Sequence, residues 1–521
     1  MNFIKKNKMV FEDLKKICKK ESSEEEKAIL LGMAAYFATF NHTGAFSDNE
    51  TEELLCNMSQ KHKINTTFKY EKNSFLHIMT ECYETGGHTR IVERWVNNSN
   101  IDQKHSIIFT EQAKNNIPRW LTKAIIKKNG DISDLSDNTQ IIDKALRLRE
   151  IASKYEYIIL HIHMFDIIPI LAFGTESFNR PIIFVNHADH LFWLGISISD
   201  LIINIRKDGL KITSTRRGSG NGVILPVPLD YKKNVLDKKK CCALIKAPKN
   251  KKLIISIGSS YKYISSNRND FIETAINILK RNDDAIFWVI GPDKNKEKSW
   301  MQAYVSSKGR LNAIGNISKK VLNYYYFAAD LYIESFPIGS GTALIEAALN
   351  GIPILGLKSP YNHFDVLAGR EDIQANDTTE LIKKANFILD NGKSKSSITK
   401  LTTDIIHEHC GIEWLEQLEK NLKNLPKKHS IYKFKSINDF NKYDFFAFDC
   451  HPKFGLNFKL CTKLKFKNKI KVLYILFKSK IYPDLKYLVY LFFPILKNIY
   501  LYIKKLLLII RTNIIDNRLG F

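Results

Sequence analysis

The sequence is short of acidic residues and of paired cysteines. Its 79 Lys and Arg stand against 54 Asp and Glu, a formal charge of +25 over 521 residues. The deficit is uneven, because from Pro426 onward 20 Lys and Arg face 5 Asp and Glu, so the basicity belongs mostly to the last 96 residues. The eight cysteines, at 18, 56, 82, 241, 242, 410, 450 and 461, include no Cys-x-x-Cys pair and keep no metal-ligand rhythm with histidine. That excludes a zinc-ribbon type of module and fits a reducing compartment. The opening stretch "MNFIKKNKMVFEDLKKICKKESSEEEKAIL" has no continuous apolar segment and no small-residue cleavage site, so no secretory signal is expected and the cytoplasm is the expected location. No repeat of 20 to 50 residues is visible, which excludes a solenoid.

What is present has the balance of a folded enzyme: 44% hydrophobic and 26% charged residues. The length exceeds one ordinary core, so two or more domains are expected. Residues 1–70 are polar and read as a helical N-terminal extension, with Ser47 as a helix N-cap. From "SFLHIMT" onward short apolar runs alternate with amphipathic stretches: "HSIIFT", "YEYIILHIH", "RPIIFVNH", "DLIINI" and "GVILPVPLD". After a charged linker at 231–250 the pattern restarts with "LIISIGSS", "AIFWVIGP", "LNAIGNI", "LYIESFP" and "IPILGL". Nearly continuous apolar strands between helices are the mark of parallel sheets covered on both faces. The fold class is therefore α/β, with two Rossmann-like doubly wound domains at 71–230 and 251–425 and a basic aromatic tail at 426–521.

The tail contains "KYLVYLFFPILKNIYLYIKKLLLIIR". Its apolar run from Tyr487 to Leu496 stops at Lys497, and Lys504 with Lys505 interrupts the next, so a membrane span is not expected. A basic amphipathic segment lying on an anionic leaflet fits better, which places the protein peripherally on the inner face of the cytoplasmic membrane. The other reading packs the tail on the protein's own body.

The most informative stretch is "FPIGSGTALIEAALNGIPIL", residues 336–355. Gly339, Ser340, Gly341 and Thr342 form a turn between a buried strand and a strong helix former. A helix start offers unsatisfied N–H donors and partial positive charge, so such a turn suits a phosphate. Glu346, one turn into the helix, is placed to bind ribose hydroxyls.

This block resembles the donor-binding segment of nucleotide-sugar glycosyltransferases of the GT-B fold, in which two Rossmann-like domains face each other across a cleft. "TGGHTR" after "FLHIMT" resembles the N-terminal glycine loop of that family, placing Gly86, Gly87 and Arg90 near acceptor and diphosphate. "ISIGSSYKY" resembles the first strand and loop of the C-terminal domain, with Lys262 reaching the diphosphate; "AIGNI" places Asn316 near the base. The resemblance spans about residues 71–410. It departs at Ile338, where many retaining members carry a first glutamate, and no Asp-x-Asp occurs to support a metal-dependent GT-A site. Metal-free transfer is expected, with no cofactor, and the leaving diphosphate is left to helix N-termini and cations.

An inverting transfer needs a base for the acceptor hydroxyl. His88 in the glycine loop and the "NHADH" group of His187, Asp189 and His190 compete, with Asp189 slightly preferred. Arg216 is a further candidate cation, "HIHMFD" at 161–166 a further cleft candidate, and His363 a candidate donor-sugar contact. The expected function is transfer of a sugar from a nucleotide-sugar donor to a glycan or lipid-linked acceptor in bacterial capsule or lipopolysaccharide synthesis. Transfer to protein side chains and a nucleotide-sugar epimerase remain alternatives. A nucleic-acid partner is not expected, since the basic tail carries long aliphatic runs and no recognition motif.

Overall fold

The computed structural model describes residues 2–62, 69–84, 87–112, 116–137, 140–229, 236–248, 250–264, 270–358, 370–391, 395–426, 429–437 and 456–479. The first segment forms helices α1 (Asn2–Lys19), α2 (Glu24–Phe40) and α3 (Asn49–Lys61). Ser23 caps α2, its hydroxyl accepting from Glu26 N at 3.4 Å, and three glutamates follow in the first turn where the helix dipole favours them. The cap of α3 is Asp48, which accepts from Thr51 N at 2.9 Å, one residue beyond the expected Ser47. Ser47 is buried and shares a hydrogen bond with Ser436 at 3.1 Å.

The first sheet contains β1 (Glu71–Met79), β2 (Lys104–Phe109), β3 (Ile132–Asp134), β4 (Tyr155–His161), β5 (Ile182–Asn186), β6 (Leu201–Asn204) and β7 (Gly222–Ile224). Its order is β3-β2-β1-β4-β5-β6-β7 and every pairing is parallel. Helices α4 (Gly87–Asn98), α5 (Arg119–Lys127), α6 (Ile141–Ala152), α7 (Ile168–Phe173) and α8 (Lys207–Thr215) connect the strands. After α9 (Lys238–Leu244) comes the second sheet: β8 (Lys252–Ile257), β9 (Ala285–Ile290), β10 (Leu311–Ala313), β11 (Leu331–Ile333), β12 (Ile354–Leu357) and β13 (Gln374–Ala375). Its order is β10-β9-β8-β11-β12-β13, again parallel throughout. The central strands are buried on both faces, with Ile158, Ile159 and Leu160 of β4 and Ile254 and Ile255 of β8 fully covered, as their unbroken apolar runs require.

The second sheet is covered by α10 (Phe271–Arg281), α11 (Lys298–Ser306), α12 (Lys319–Ala328), α13 (Thr342–Leu349), α14 (Thr378–Asn391) and α15 (Lys395–His409). Helix α16 (Gly411–Lys423) reaches back to the first unit. Trp414 packs edge-on against Trp95 of α4 at 5.9 Å and donates its indole N–H to Pro226 O at 2.7 Å. The two doubly wound units are thus tied by packed aromatic surface as well as by the chain.

The described parts of the tail lie on the protein's own body. Tyr432 donates to Asp200 at 2.9 Å, and His429 Nδ1 stands 3.0 Å from the same buried carboxylate. Helices α17 (Phe458–Lys463) and α18 (Phe466–Lys478) dock on the N-terminal extension. Glu26 accepts from Lys465 N at 2.9 Å and from Asn468 Nδ2 at 2.7 Å. None of the described helices is long and apolar enough to cross a membrane. The "KYLVYLFFPILK" stretch lies outside the described residues.

Candidate active site at the facing sheet edges

In each sheet the strand order reverses once, between β1 and β4 in the first and between β8 and β11 in the second. Connections leave in opposite directions there and open a crevice at the carboxyl ends of the strands, the place where such sheets hold ligands. The glycine loop follows β1, "HIHMFD" follows from the end of β4, "GSSYK" follows β8 and the 336–355 block follows β11. The two crevices meet: a Cβ placed on Gly87, at the start of α4, would lie 3.5 Å from Thr342 Oγ1, at the start of α13. Two helix N-termini therefore converge across the space between the sheets. Gly86 and His363 lie outside the described residues.

On the first side the structure gathers histidines. His88 Nε2 is 2.7 Å from His161 O, so this nitrogen carries the proton and, in the neutral ring, Nδ1 holds the lone pair. The His88 ring lies 4.3 Å from that of His187 and 6.0 Å from that of His163. Burial pushes all three below the ordinary imidazole value, His163 to about 3. The cluster is thus neutral at physiological pH. Beneath it His105, His77 and His161 form a buried chain across β2, β1 and β4, with ring nitrogens 2.9 and 3.1 Å apart. The alternation in "HIHMFD" thus divides its work: His161 joins the sheet's interior and His163 the cleft.

Asp189 sits among different company. Arg206 grips both carboxylate oxygens at 2.5 Å, and His190 Nδ1 stands 3.5 Å away. Burial alone would raise the Asp189 carboxyl, but the Arg206 guanidinium and His190 outweigh it and hold it far below the usual carboxylate range. A carboxylate held so acidic is a weak proton acceptor. The expected preference for Asp189 as base therefore meets an unfavourable setting, while His88 keeps a lone pair. Arg90 stacks on Trp120 at 3.5 Å and pairs with Glu93 at 3.2 Å, which turns it toward α5. Arg216 donates to Gly44 O at 3.2 Å and lies over Phe46, both in the N-terminal extension.

On the second side Gly341 has φ +63°, a conformation glycine adopts without strain, and α13 begins at Thr342. The N–H groups of Ser340 and Gly341 are already engaged. Glu334, buried at the end of β11, accepts from both, with Gly341 N at 3.1 Å, and also from Tyr332 OH at 3.0 Å. Burial pushes the Glu334 carboxyl up, opposed by Lys262 and these donors. Lys262 donates to Gly339 O at 3.0 Å, and Ser340 Oγ lies so near Gly258 that a Cβ there would be 2.5 Å away. Glu346 joins Arg94 of α4 at 2.6 Å and accepts from Tyr326 OH at 3.3 Å, so it bridges the two units. Asn316 is exposed on the loop after β10. Neither Glu334 nor Arg94 stands out in the sequence; the one signal for Glu334 is an acidic residue ending an apolar strand. Among the described residues no group of three His, Cys, Asp or Glu side chains is placed to hold a metal ion.

Two Rossmann-like units with facing carboxyl edges and glycine-led helix starts define the GT-B fold. Solved structures share it. Anabaena HepE, determined in complex with UDP and glucose, superposes with a TM-score of 0.54 at 12% identity, covering 67% of this chain and 99% of its own. A glycosyltransferase from Rickettsia africae gives 0.52 at 15% identity, over 68% and 100% of the two chains. S. aureus TarM, determined with fondaparinux, alpha-GlcNAc-glycerol and UDP, gives 0.51 at 11% identity, over 67% and 100%. No family model and no curated protein sequence matches the chain.

Proposed function

We propose that this protein is a glycosyltransferase that moves a sugar from a nucleoside diphosphate donor, held on the second unit, to a hydroxyl acceptor held on the first. The observation that carries the reading is the approach of Gly87 to Thr342, which brings two helix N-termini to one point between the sheets. A diphosphate is the ligand such a point suits best, because both dipoles and the remaining N–H donors favour negative charge. Thr342, the N–H groups at the start of α13 and Lys262 receive the diphosphate, while Glu334 beneath them fixes the loop. Glu346 and Asn316 flank the nucleoside. The UDP and sugar ligands of the structural neighbours support the donor class.

His88 takes the role of base. Its Nε2–H is fixed by the His161 carbonyl, so Nδ1 is the nitrogen available to accept the acceptor's proton. As that hydroxyl oxygen attacks the anomeric carbon, the bond to the leaving phosphate breaks and its negative charge grows at the helix starts, which stabilise it. The acceptor is a lipid-linked or polysaccharide hydroxyl of capsule or lipopolysaccharide synthesis, and the basic tail brings the enzyme to the membrane that carries it. The test is a melting-temperature panel against UDP, GDP and CMP with and without EDTA. One nucleoside diphosphate raises the melting temperature, EDTA leaves the shift unchanged, and Gly341→Asp removes it. No shift with any nucleotide sinks the reading.

A further inference from the structure

Beside the histidine cluster lies a chamber of about 540 Å³, within the range of small-molecule sites. Three distant parts of the chain wall it: Tyr36 and Phe40 from α2, Phe165 from the loop after β4, and Leu460 from α17. The Tyr36 ring lies 4.7 Å from Phe40 and 4.8 Å from Phe165. His187 lines the same space, and its ring is the one 4.3 Å from His88. The chamber thus ends next to the proposed base.

The wall contributed by α17 is held in place from several sides. Gly32 of α2 leaves room for Leu460, whose Cδ1 would be 3.2 Å from a Cβ there. Lys459 pairs with Glu111 across the rim, and Glu26 anchors the turn into α18. Several polar groups of the lining are engaged within the protein. Thr80 donates to Asp166 at 2.6 Å, Thr39 to Ala35 O at 2.9 Å, Tyr83 to Glu81 at 2.9 Å, and Lys144 to Glu111 at 2.5 Å. Lys459, Lys463 and Glu111 also line the chamber, but ring faces and aliphatic side chains make up most of its exposed wall. A sugar entering here would leave its hydration behind against a mostly apolar wall, whereas an apolar body would lose nothing by desolvation.

Building on the glycosyl-transfer reading, we propose that this chamber is the acceptor site and that it takes an alcohol carried on an apolar body, with the hydroxyl presented past His187 to His88. The N-terminal extension and α17 are then parts of the acceptor pocket, and they set its selectivity.

The test is calorimetric titration of the full chain with 2-naphthol and 1-octanol, and with methyl glucoside and cellobiose, alongside UDP. The two alcohols bind and the saccharides do not. Phe165→Ala weakens 2-naphthol at least about ten-fold, Phe165→Leu restores part of the loss, and both variants keep the UDP affinity. If Phe165→Ala fails to fold, Tyr36→Leu on the opposite wall is read the same way. Saccharide binding in place of the alcohols overturns the proposal, as does alcohol binding indifferent to both walls, or UDP binding with no alcohol bound. Alcohol binding sensitive to Phe165 in a protein that ignores every nucleotide supports the chamber's chemistry and removes the transfer reading instead.

Discussion

Replacing Glu334 with glutamine should tighten binding of the sugar nucleotide. The carboxylate lies under the loop proposed for the diphosphate, with Oε1 3.1 Å from Gly341 N. A phosphate oxygen bonded to the next N–H along, at about 2.9 Å, would stand about 5–6 Å from it. Two unit negative charges at that separation repel by about 3 kcal/mol at an effective dielectric of about 20. Lys262 offsets part of this, and burial raises the proton affinity of Glu334, so a net penalty of about 1–2 kcal/mol remains, or about 5–30-fold in Kd. Glutamine keeps an acceptor oxygen for Ser340 and Gly341, and its amide can pair with Tyr332, so the loop keeps its shape. UDP-glucose is the ligand to use, because its diphosphate diester holds a constant charge through the neutral range. Its affinity for the unaltered protein rises as pH falls through the raised Glu334 value and the carboxylate is neutralised. The Glu334→Gln curve is flat and lies above it at neutral pH. Equal affinities at neutral pH in two proteins of equal melting temperature would refute the argument.

His88→Ala lowers turnover about 10²–10⁴-fold and leaves UDP affinity unchanged, as single-turnover kinetics beside calorimetry would show. Because burial lowers the His88 value, the rate plateau of the unaltered protein extends to the acid side of an ordinary histidine. Asp189→Asn costs about 3–5 kcal/mol of stability by leaving Arg206 buried without its anion, seen in urea unfolding. The Asp189 value is depressed in the fold, so its contribution is present above the ordinary carboxylate pKa and is lost only as pH falls below it. Arg94→Ala and Glu346→Gln each lower the first melting transition, and the double variant shows a coupling of about 1–3 kcal/mol; strict additivity would mean that the bridge does not hold the units together.

Legibility in the sequence followed range. The apolar runs within the two doubly wound units are strands, because burial on both faces writes itself into consecutive residues such as Ile158, Ile159 and Leu160, whereas the longer run at 28–38 is the buried helix α2. The two-residue β13 and the β3 triplet, none of whose residues is buried, carry too little apolar pattern to be read. The glycines of the two loops also showed themselves, since backbone demands are local. Charge partners did not. Arg206 lies 17 residues from Asp189 and Arg94 lies 252 residues from Glu346, and only the folded chain reveals that these carboxylates are engaged. Glu334 was hidden for another reason: a loop rich in N–H donors reads as a place for an external anion, and nothing in the sequence says that an internal one is already there. The tail shows the same limit, because a basic amphipathic helix has one composition whether it meets lipid or, as α18 does, the extension helices.

The bond between Lys465 and Glu26 joins residues 439 positions apart, and it has a consequence for how the protein is made. At about 5–20 residues per second, the ribosome takes about 20–90 s to deliver α17 and α18 after α2 has emerged. Throughout that time the seat for Leu460 beside Gly32 stands open on the nascent chain. A chaperone that shields this patch of α2 during synthesis would raise the yield of folded protein, and a chain released before residue 456 would present the patch permanently.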